Sequence, residues 1–280
     1  MRFDVFSRAD LFREGHTRRS IQSAVRRGLL IHARRDRYLP ADAPEALVRA
    51  VRVGGRLTCL SLLALLGVFV LENRRLHVHL AYTSSRLSSP HHRGSPLGGA
   101  ARRGLRLHWM SLVDECAGGA VGLVDALIHA VLCQPPRAAV ATLDSALNRG
   151  LIDIAQLAMV FAGLPARYSA LAPLVDGRAE SGPETLVRLM ARALGCHVEL
   201  QVTFEGIGRV DLVLDGWLVV ECDSKQFHAS WAAQARDRER DAALAALGYS
   251  TLRLSAAMVM YRPESVLAAL RGLIGAQRMS

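Results

Sequence analysis

Lysine is almost absent from this 280-residue chain: of 35 basic residues, 34 are arginine and one is Lys225. Arginine in place of lysine fits a GC-rich genome and by itself carries no functional information. Long hydrophobic runs are missing too. The longest, about Leu57 to Leu71, is broken by Thr58, Ser61 and Gly67, and it falls short of the roughly 18 to 20 apolar residues that a membrane-crossing helix needs. The opening Met1-Arg-Phe-Asp-Val-Phe-Ser-Arg lacks a basic-then-apolar leader, so the expected location is the cytoplasm, with no membrane partner. No C-x-x-C pair occurs among the scattered Cys59, Cys116, Cys133, Cys196 and Cys222, and their odd number suits a reducing compartment. What the chain has is apolar sequence, 51% of its residues. That is enough for two or three domains with real cores, and it excludes a disordered or fibrous chain.

The formal charge of +10 is unevenly placed. Residues 1–40 hold 10 Arg against 4 acids, residues 41–179 hold 14 against 9, and residues 180–280 hold 11 basic residues against 12 acids. Codon usage does not explain such clustering, and an electrostatic partner meets a face of the protein, not its average.

The first forty residues read as helix, turn, basic helix and basic hairpin. Ser7 caps the first helix with Asp10 at the capping-box position, and a turn follows at Glu14-Gly15-His16. Thr17 caps a second helix whose Ile21, Ala24 and Val25 form an apolar stripe, while Arg18, Arg19, Gln22, Arg26 and Arg27 point elsewhere. Gly28 ends it, and Leu29 to Leu39 form a hairpin with Arg34, Arg35 and Arg37 near its tip. This is the order of a winged helix-turn-helix, which implies DNA as partner. The second helix would enter the major groove, with Arg18, Arg19 and Gln22 placed for bidentate bonds to bases. Arg26 and the wing arginines Arg34, Arg35 and Arg37 would neutralise phosphates. The plainer alternative is a small helical domain whose arginine face is only solvated or touches another subunit.

Residues 41–177 read as a largely helical connector with a small sheet. Helices are expected at Pro44–Val51, Thr58–Gly67, Leu123–Leu132, Ala138–Asn148 and Leu151–Phe161, and a strand at Leu76–Tyr82. His77 and His79 form a His-x-His pair, which can chelate zinc, and His91, His92 and His108 lie nearby. No Cys or carboxylate completes a familiar ligand spacing, so a polar strand face beside a loop accounts for the histidines as well.

From residue 178 onward the pattern is helix, three strands, charged helix, strand and helix. Ser181-Gly-Pro-Glu184 opens the first helix; Asp211 sits in a Val/Leu strand; Glu221 and Asp223 end the next one, after an Asp215-Gly216 turn. Charge in an apolar strand is expensive unless bound or solvated. A two-residue turn would set Asp211 opposite Val220. A three-residue loop Leu214-Asp-Gly would set it opposite Val219 and gather Asp211, Glu221 and Asp223 on one face. Carboxylates so clustered suit a hard divalent cation, which can activate water.

Glu184, Asp211, Glu221-Cys-Asp223 and Lys225 resemble the restriction-endonuclease-like PD-(D/E)xK superfamily. More closely, Ser181-x-x-Glu184, Arg209-Val-Asp211, Val220 to His228, Arg236 to Asp241 and Gly248 to Arg253 look like endonuclease-like domains related to very short patch repair nucleases. The N-terminal part is similar to the winged helix of AbiEi-type antitoxins. The resemblance implies an α/β multi-domain protein: a winged helix at 1–40, the connector at 41–177, and at 178–280 an endonuclease-like domain with a central mixed sheet. It implies Mg²⁺ or Mn²⁺ held by Asp211 and Glu221, with Glu184 an outer acid, Lys225 or His228 assisting with the proton, and a toxin or other protein as a second partner. Arg236, Asp237, Arg240 and Arg253 would support the site. The chain departs from the pattern twice: Asp223 stands where (D/E)-x-K has lysine, and it replaces a histidine of the repair enzymes. Duller roles stay open: Glu184 as the closing acid of a capping box, His228 as a structural histidine, and Arg236, Asp237, Arg240 and Asp241 as surface i, i+4 pairs. The alternative to a nuclease is a transcriptional regulator or antitoxin-like binder on a degenerate, inactive nuclease fold.

Overall fold

The structure, a computed structural model, describes residues 3–114, 118–223 and 231–279. Lys225 and His228, two of the expected site residues, lie outside the described residues. The chain divides into two compact units, one of Met1–Gln134 with Ile152–Ser169 and one of Pro135–Leu151 with Ala170–Ser280.

The first unit opens with α1 (Arg8–Arg13), α2 (Arg18–Arg26), and a hairpin of β1 (Leu30–Arg34) and β2 (Arg37–Pro40). Both helices begin with reciprocal capping boxes, Ser7 with Asp10 and Thr17 with Ser20, which satisfy amide donors that a helix start leaves open. Leu11, Ile21 and Tyr38 form a small buried core with Phe6, Val25 and Leu30 against it, and Phe6 bridges to Tyr38 to tie the chain start onto the hairpin. The first forty residues pack in one unit with the middle of the chain. That part comprises α3 (Glu45–Val53), β3 (Arg56–Leu57), α4 (Cys59–Leu65), β4 (Leu76–His79), α5 (Gly99–Arg103), β5 (Leu105–His108) and α6 (Leu123–Cys133). After α7 (Pro136–Asn148), which belongs to the second unit, α8 (Ile154–Ala162) returns to pack on α6. The small sheet has the order β3-β4-β5, antiparallel then parallel.

The second unit carries α9 (Gly182–Ala193), β6 (Val198–Phe204), β7 (Gly208–Leu214), β8 (Leu218–Asp223), α10 (Trp231–Ala246), β9 (Ser250–Ser255), α11 (Ala256–Tyr261) and α12 (Pro263–Met279). Its mixed sheet runs β6-β7-β8-β9, antiparallel except for the parallel pair β8 and β9 joined through α10. The β7–β8 turn differs from both registers expected from the sequence. Asp215 and Gly216 both adopt left-handed backbone (φ 49° and 72°), Trp217 is the extra residue, and Leu214 sits opposite Leu218. Continuing that register sets Asp211 opposite Glu221, rather than opposite Val219 or Val220.

Among the described residues no helix is long and apolar enough to cross a membrane.

Candidate functional site

The ladder between β7 and β8 stops at Leu212 and Val220. One step further, side chains take over the backbone bonds: the Cys222 N–H donates to Asp211 Oδ2 at 2.8 Å, and the Asp211 N–H donates to Glu221 Oε2 at 3.3 Å. On its other edge Asp211 is also unpaired, because Gln201 turns left-handed (φ 57°) and drops out of the β6–β7 register. The β6–β7 hairpin therefore bends at this point. Val202 and Phe204 come onto the core of Val210, Val213, Val219 and Leu244, with Phe204 edge-on to Tyr249 at 4.8 Å. The splay leaves carboxylates where a regular sheet would have closed the backbone.

Glu184 reaches the same place from the first turn of α9. Its N–H donates to Ser181 Oγ at 3.4 Å, while its carboxylate accepts from the Glu180 N–H (2.9 Å) and from Gln201 Nε2 (2.8 Å). Ser181 thus caps the helix, but Glu184 does not bond back to the Ser181 amide. Its carboxylate is turned to the strand, so the capping-box role is not the one it takes. Glu184 and Glu221 are buried, only 4% and 6% exposed. Burial raises the pKa of Glu184, Asp211 and Glu221, and the acids raise one another further: Glu184 and Glu221 each feel Asp211, and Asp211 feels Asp223. Glu221 is pushed up to about 7. The buried Cys222 thiol is surrounded by all four acids, and after burial their charge pushes it up as well.

Counter-charge comes from α10 and β9. Arg240 Nη2 lies 2.8 Å from Glu221 Oε1 and also donates to the Arg209 carbonyl. Arg253, beside Glu221 in the parallel register, grips Asp241 with two bonds of 3.1 and 2.8 Å and sits 3.7 Å from the exposed Asp223. Its pKa is raised, chiefly by the Asp241 hydrogen bond. Arg240 and Asp241 therefore face the sheet instead of forming i, i+4 surface pairs along α10, whereas Arg236 and Asp237 are exposed. Gln201 and Arg209, which pairs with Glu180 at 2.8 Å, join the site beyond the residues expected from the sequence. Nothing in the sequence marks them: β6 alternates polar and apolar residues, with Glu199 and Thr203 beside Gln201.

Asp211 and Glu221 are the residues here that could hold a divalent cation. Despite the nearby Arg240, Glu221 Oε1 is buried and makes no hydrogen bond among the described residues, and the charge of Asp211 adds to burial in raising the Glu221 pKa. A carboxyl whose folded-state pKa is raised favours the fold while protonated, and that contribution is lost as pH rises through the folded value. Without added divalent cation, Glu221 itself is expected to contribute a loss on the order of 3 kcal/mol between about pH 5 and pH 8, at about 1.4 kcal/mol per displaced unit, opposed in part by the buried His129, whose pKa is lowered to about 3. Urea midpoints across this range should therefore fall more steeply, or rise less, for the native chain than for Glu221→Gln; equal slopes would remove Glu221 as a contributor.

In the first unit, Arg18, Arg19, Gln22 and Arg26 are exposed on α2, and Arg35 and Arg37 are exposed at the hairpin turn. Arg18, Gln22 and Arg26 line a groove of about 580 Å³ between α2 and the hairpin, with Arg8, His32 and Tyr38. Arg34 differs from its neighbours. Its guanidinium donates to the carbonyls of Val53 (2.8 Å) and Arg86 (3.1 Å), in space left open by Gly54 at φ 107°. It anchors the hairpin to these carbonyls with a side chain that is half-buried.

Comparison with known proteins bears on the second unit alone. Residues 184–274 match a family model of restriction-endonuclease-like domains, REase_MTES_1575. The matched segment runs from Glu184 through the four-stranded mixed sheet into α12, and the match supports a restriction-endonuclease-like C-terminal domain. No curated protein matches the chain.

Proposed function

We propose that the protein binds DNA through α1, α2 and the β1–β2 hairpin acting as a winged helix, and hydrolyses DNA phosphodiesters in its C-terminal domain with Mg²⁺ or Mn²⁺. The observation that carries the reading is the break in the β7–β8 ladder, where Asp211, Glu221 and Glu184 converge inside a restriction-endonuclease-like segment. Asp211 and Glu221 would hold the cation, which supplies Lewis-acid charge neutralisation and lowers the pKa of water when bound. Glu184, fixed by Gln201 and the Glu180 amide, orients the water around the acids. Arg240 and Arg253 place positive charge beside them and steady the phosphate. Lys225 or His228 moves the proton. The three-part division, reader at 1–40, connector at 41–177 and nuclease at 178–280, is functional in this reading.

One observation favours the second reading, an antitoxin-like or transcriptional regulator on an inactive nuclease fold, with a toxin as a further partner. Arg240 already supplies a cation against Glu221, and Asp223 holds the place of the motif lysine. Incubating the full chain with single-stranded, duplex and mismatched DNA and Mg²⁺ or Mn²⁺ separates the two. Cleavage of any of them supports the nuclease, and tight duplex binding with none cleaved supports the regulator.

The reader is tested by band shift. Substituting Arg18, Arg19 and Arg26 by alanine is expected to weaken duplex binding. The slope of log affinity against log salt concentration should flatten by about 0.9 for each phosphate no longer neutralised. An unchanged affinity and slope would remove α2 as the helix that meets DNA.

A further inference from the structure

The connector histidines are not a polar strand face: His77, His79 and His108 are buried. In the parallel register His77 pairs with Arg106 and His79 with His108, so His77, His79 and His108 share one side of the sheet. The N-terminus of α4 brings Cys59 to that side, and the C-terminus of α6 brings Cys133. One donor atom from each of Cys59, His77, His108 and Cys133 falls within 4.8 Å of every other. His77 Nδ1 is 3.1 Å from His108 Nε2, and Cys133 Sγ is 3.9 Å from the same nitrogen.

We propose that Cys59, His77, His108 and Cys133 bind one structural zinc ion. Zinc bonds of about 2.0–2.1 Å to nitrogen and 2.3 Å to sulfur, set tetrahedrally, put donor atoms roughly 3.3–3.8 Å apart. The two observed separations bracket that range. Two thiolates and two neutral imidazoles cancel the charge of Zn²⁺, so the assembly can sit in a core where a bare ion or unpaired polar groups would be costly. The sulfur and imidazole donors select zinc over Mg²⁺ or Mn²⁺, and four protein ligands leave no open position for catalysis.

The surroundings are built for the cluster. Cys59 holds left-handed backbone (φ 53°) as the first residue of α4, a conformation that a non-glycine residue keeps only when its neighbours over-determine it. The α4 start is fastened to β4 on both sides of the ligand: the Thr58 N–H donates to the His77 carbonyl at 3.2 Å, and the His77 N–H donates to Ser61 Oγ at 3.0 Å. Behind the ligands, the His129 ring stacks on His108 at 4.7 Å and is held by Thr58 Oγ1 at 2.7 Å, while His79 Nε2 bonds the Met110 carbonyl at 2.8 Å. The stacking holds the His108 ring in place, while the two hydrogen bonds fix the non-ligand rings of His129 and His79 beside the cluster. The ion would join α4, β4, β5 and α6 of the first unit, and it is separate from the carboxylate site of the second.

The test is metal content of the full chain purified under reducing conditions. Elemental analysis is expected to find one zinc per chain, retained by Asp211→Ala and Cys196→Ser and reduced to less than about a tenth of an equivalent by Cys133→Ser or His108→Gln. Should those variants fail to fold, the cobalt-substituted native chain still decides. A tetrahedral, thiolate-bound Co²⁺ spectrum supports the site. A folded native chain that takes up neither metal, full zinc in Cys133→Ser, or a Cys59–Cys133 disulfide in the reduced preparation would overturn it.

Discussion

Asp144→Ala is expected to destabilise the second unit by about 3–5 kcal/mol, the range for removing one partner of a buried ion pair. Asp144 on α7 and Arg188 on α9 are fully buried and meet at 2.7 Å. The same carboxylate accepts from Thr185 Oγ1 at 2.8 Å and from the Asp176 N–H at 2.7 Å. Burial raises the Asp144 pKa against these stabilising bonds. Arg188 has no margin: its Nε and Nη1 already make no hydrogen bond among the described residues. Alanine at 144 would strand a guanidinium in an apolar core and release the loop that leads into Glu184. Replacing both partners by apolar residues of similar volume, Asp144→Leu with Arg188→Met, should recover part of the stability: the stranded charge disappears, while the Thr185 hydroxyl and the Asp176 N–H still lose their acceptor. Urea unfolding reads both variants. A single-variant effect below about 1 kcal/mol would mean that the pair does not join α7 to α9.

Asp211→Ala is expected to lower DNA cleavage by about 10²–10³-fold, the scale of losing one group's stabilisation of developing charge, here supplied through the cation that Asp211 would hold. Its carboxylate is the bridge of the site: it holds the Cys222 amide, and through its own amide it holds Glu221. Affinity for duplex DNA should change little, because the exposed arginines of α2 and the hairpin are untouched.

Much of the fold is legible in the sequence because its signals are local. The Ser7 and Thr17 caps, Gly28 and the alternating strands around Asp215-Gly216 each act within a few residues, and the corresponding elements form where expected. The β7–β8 register departs from expectation by one to two residues, since the extra position, Trp217, follows the Gly and nothing in the turn sequence marks it. The unit boundary is not legible either: α7 belongs with the C-terminal unit through Asp144 and Arg188, 44 residues apart. At the site, Asp211, Glu221 and Glu184 stand out as charges within apolar strands or at a helix start. Gln201 and Arg209 depend on the hairpin bend and do not, while Arg240 is expected at the site only through the family resemblance and not from its spacing on α10. The cysteine and histidine cluster has no recognisable ligand spacing. Its members are 18, 31 and 25 residues apart, and sheet register brings them together, not sequence proximity.

The most direct measurement is the initial rate of Mn²⁺-supported DNA cleavage by the full chain, with Asp211→Ala run beside it at equal folded concentration and equal DNA occupancy. Cleavage is expected to require the divalent cation and to disappear in Asp211→Ala while DNA binding persists. Cleavage unchanged by the substitution, or a native chain that binds duplex tightly and cuts no DNA offered, would contradict it.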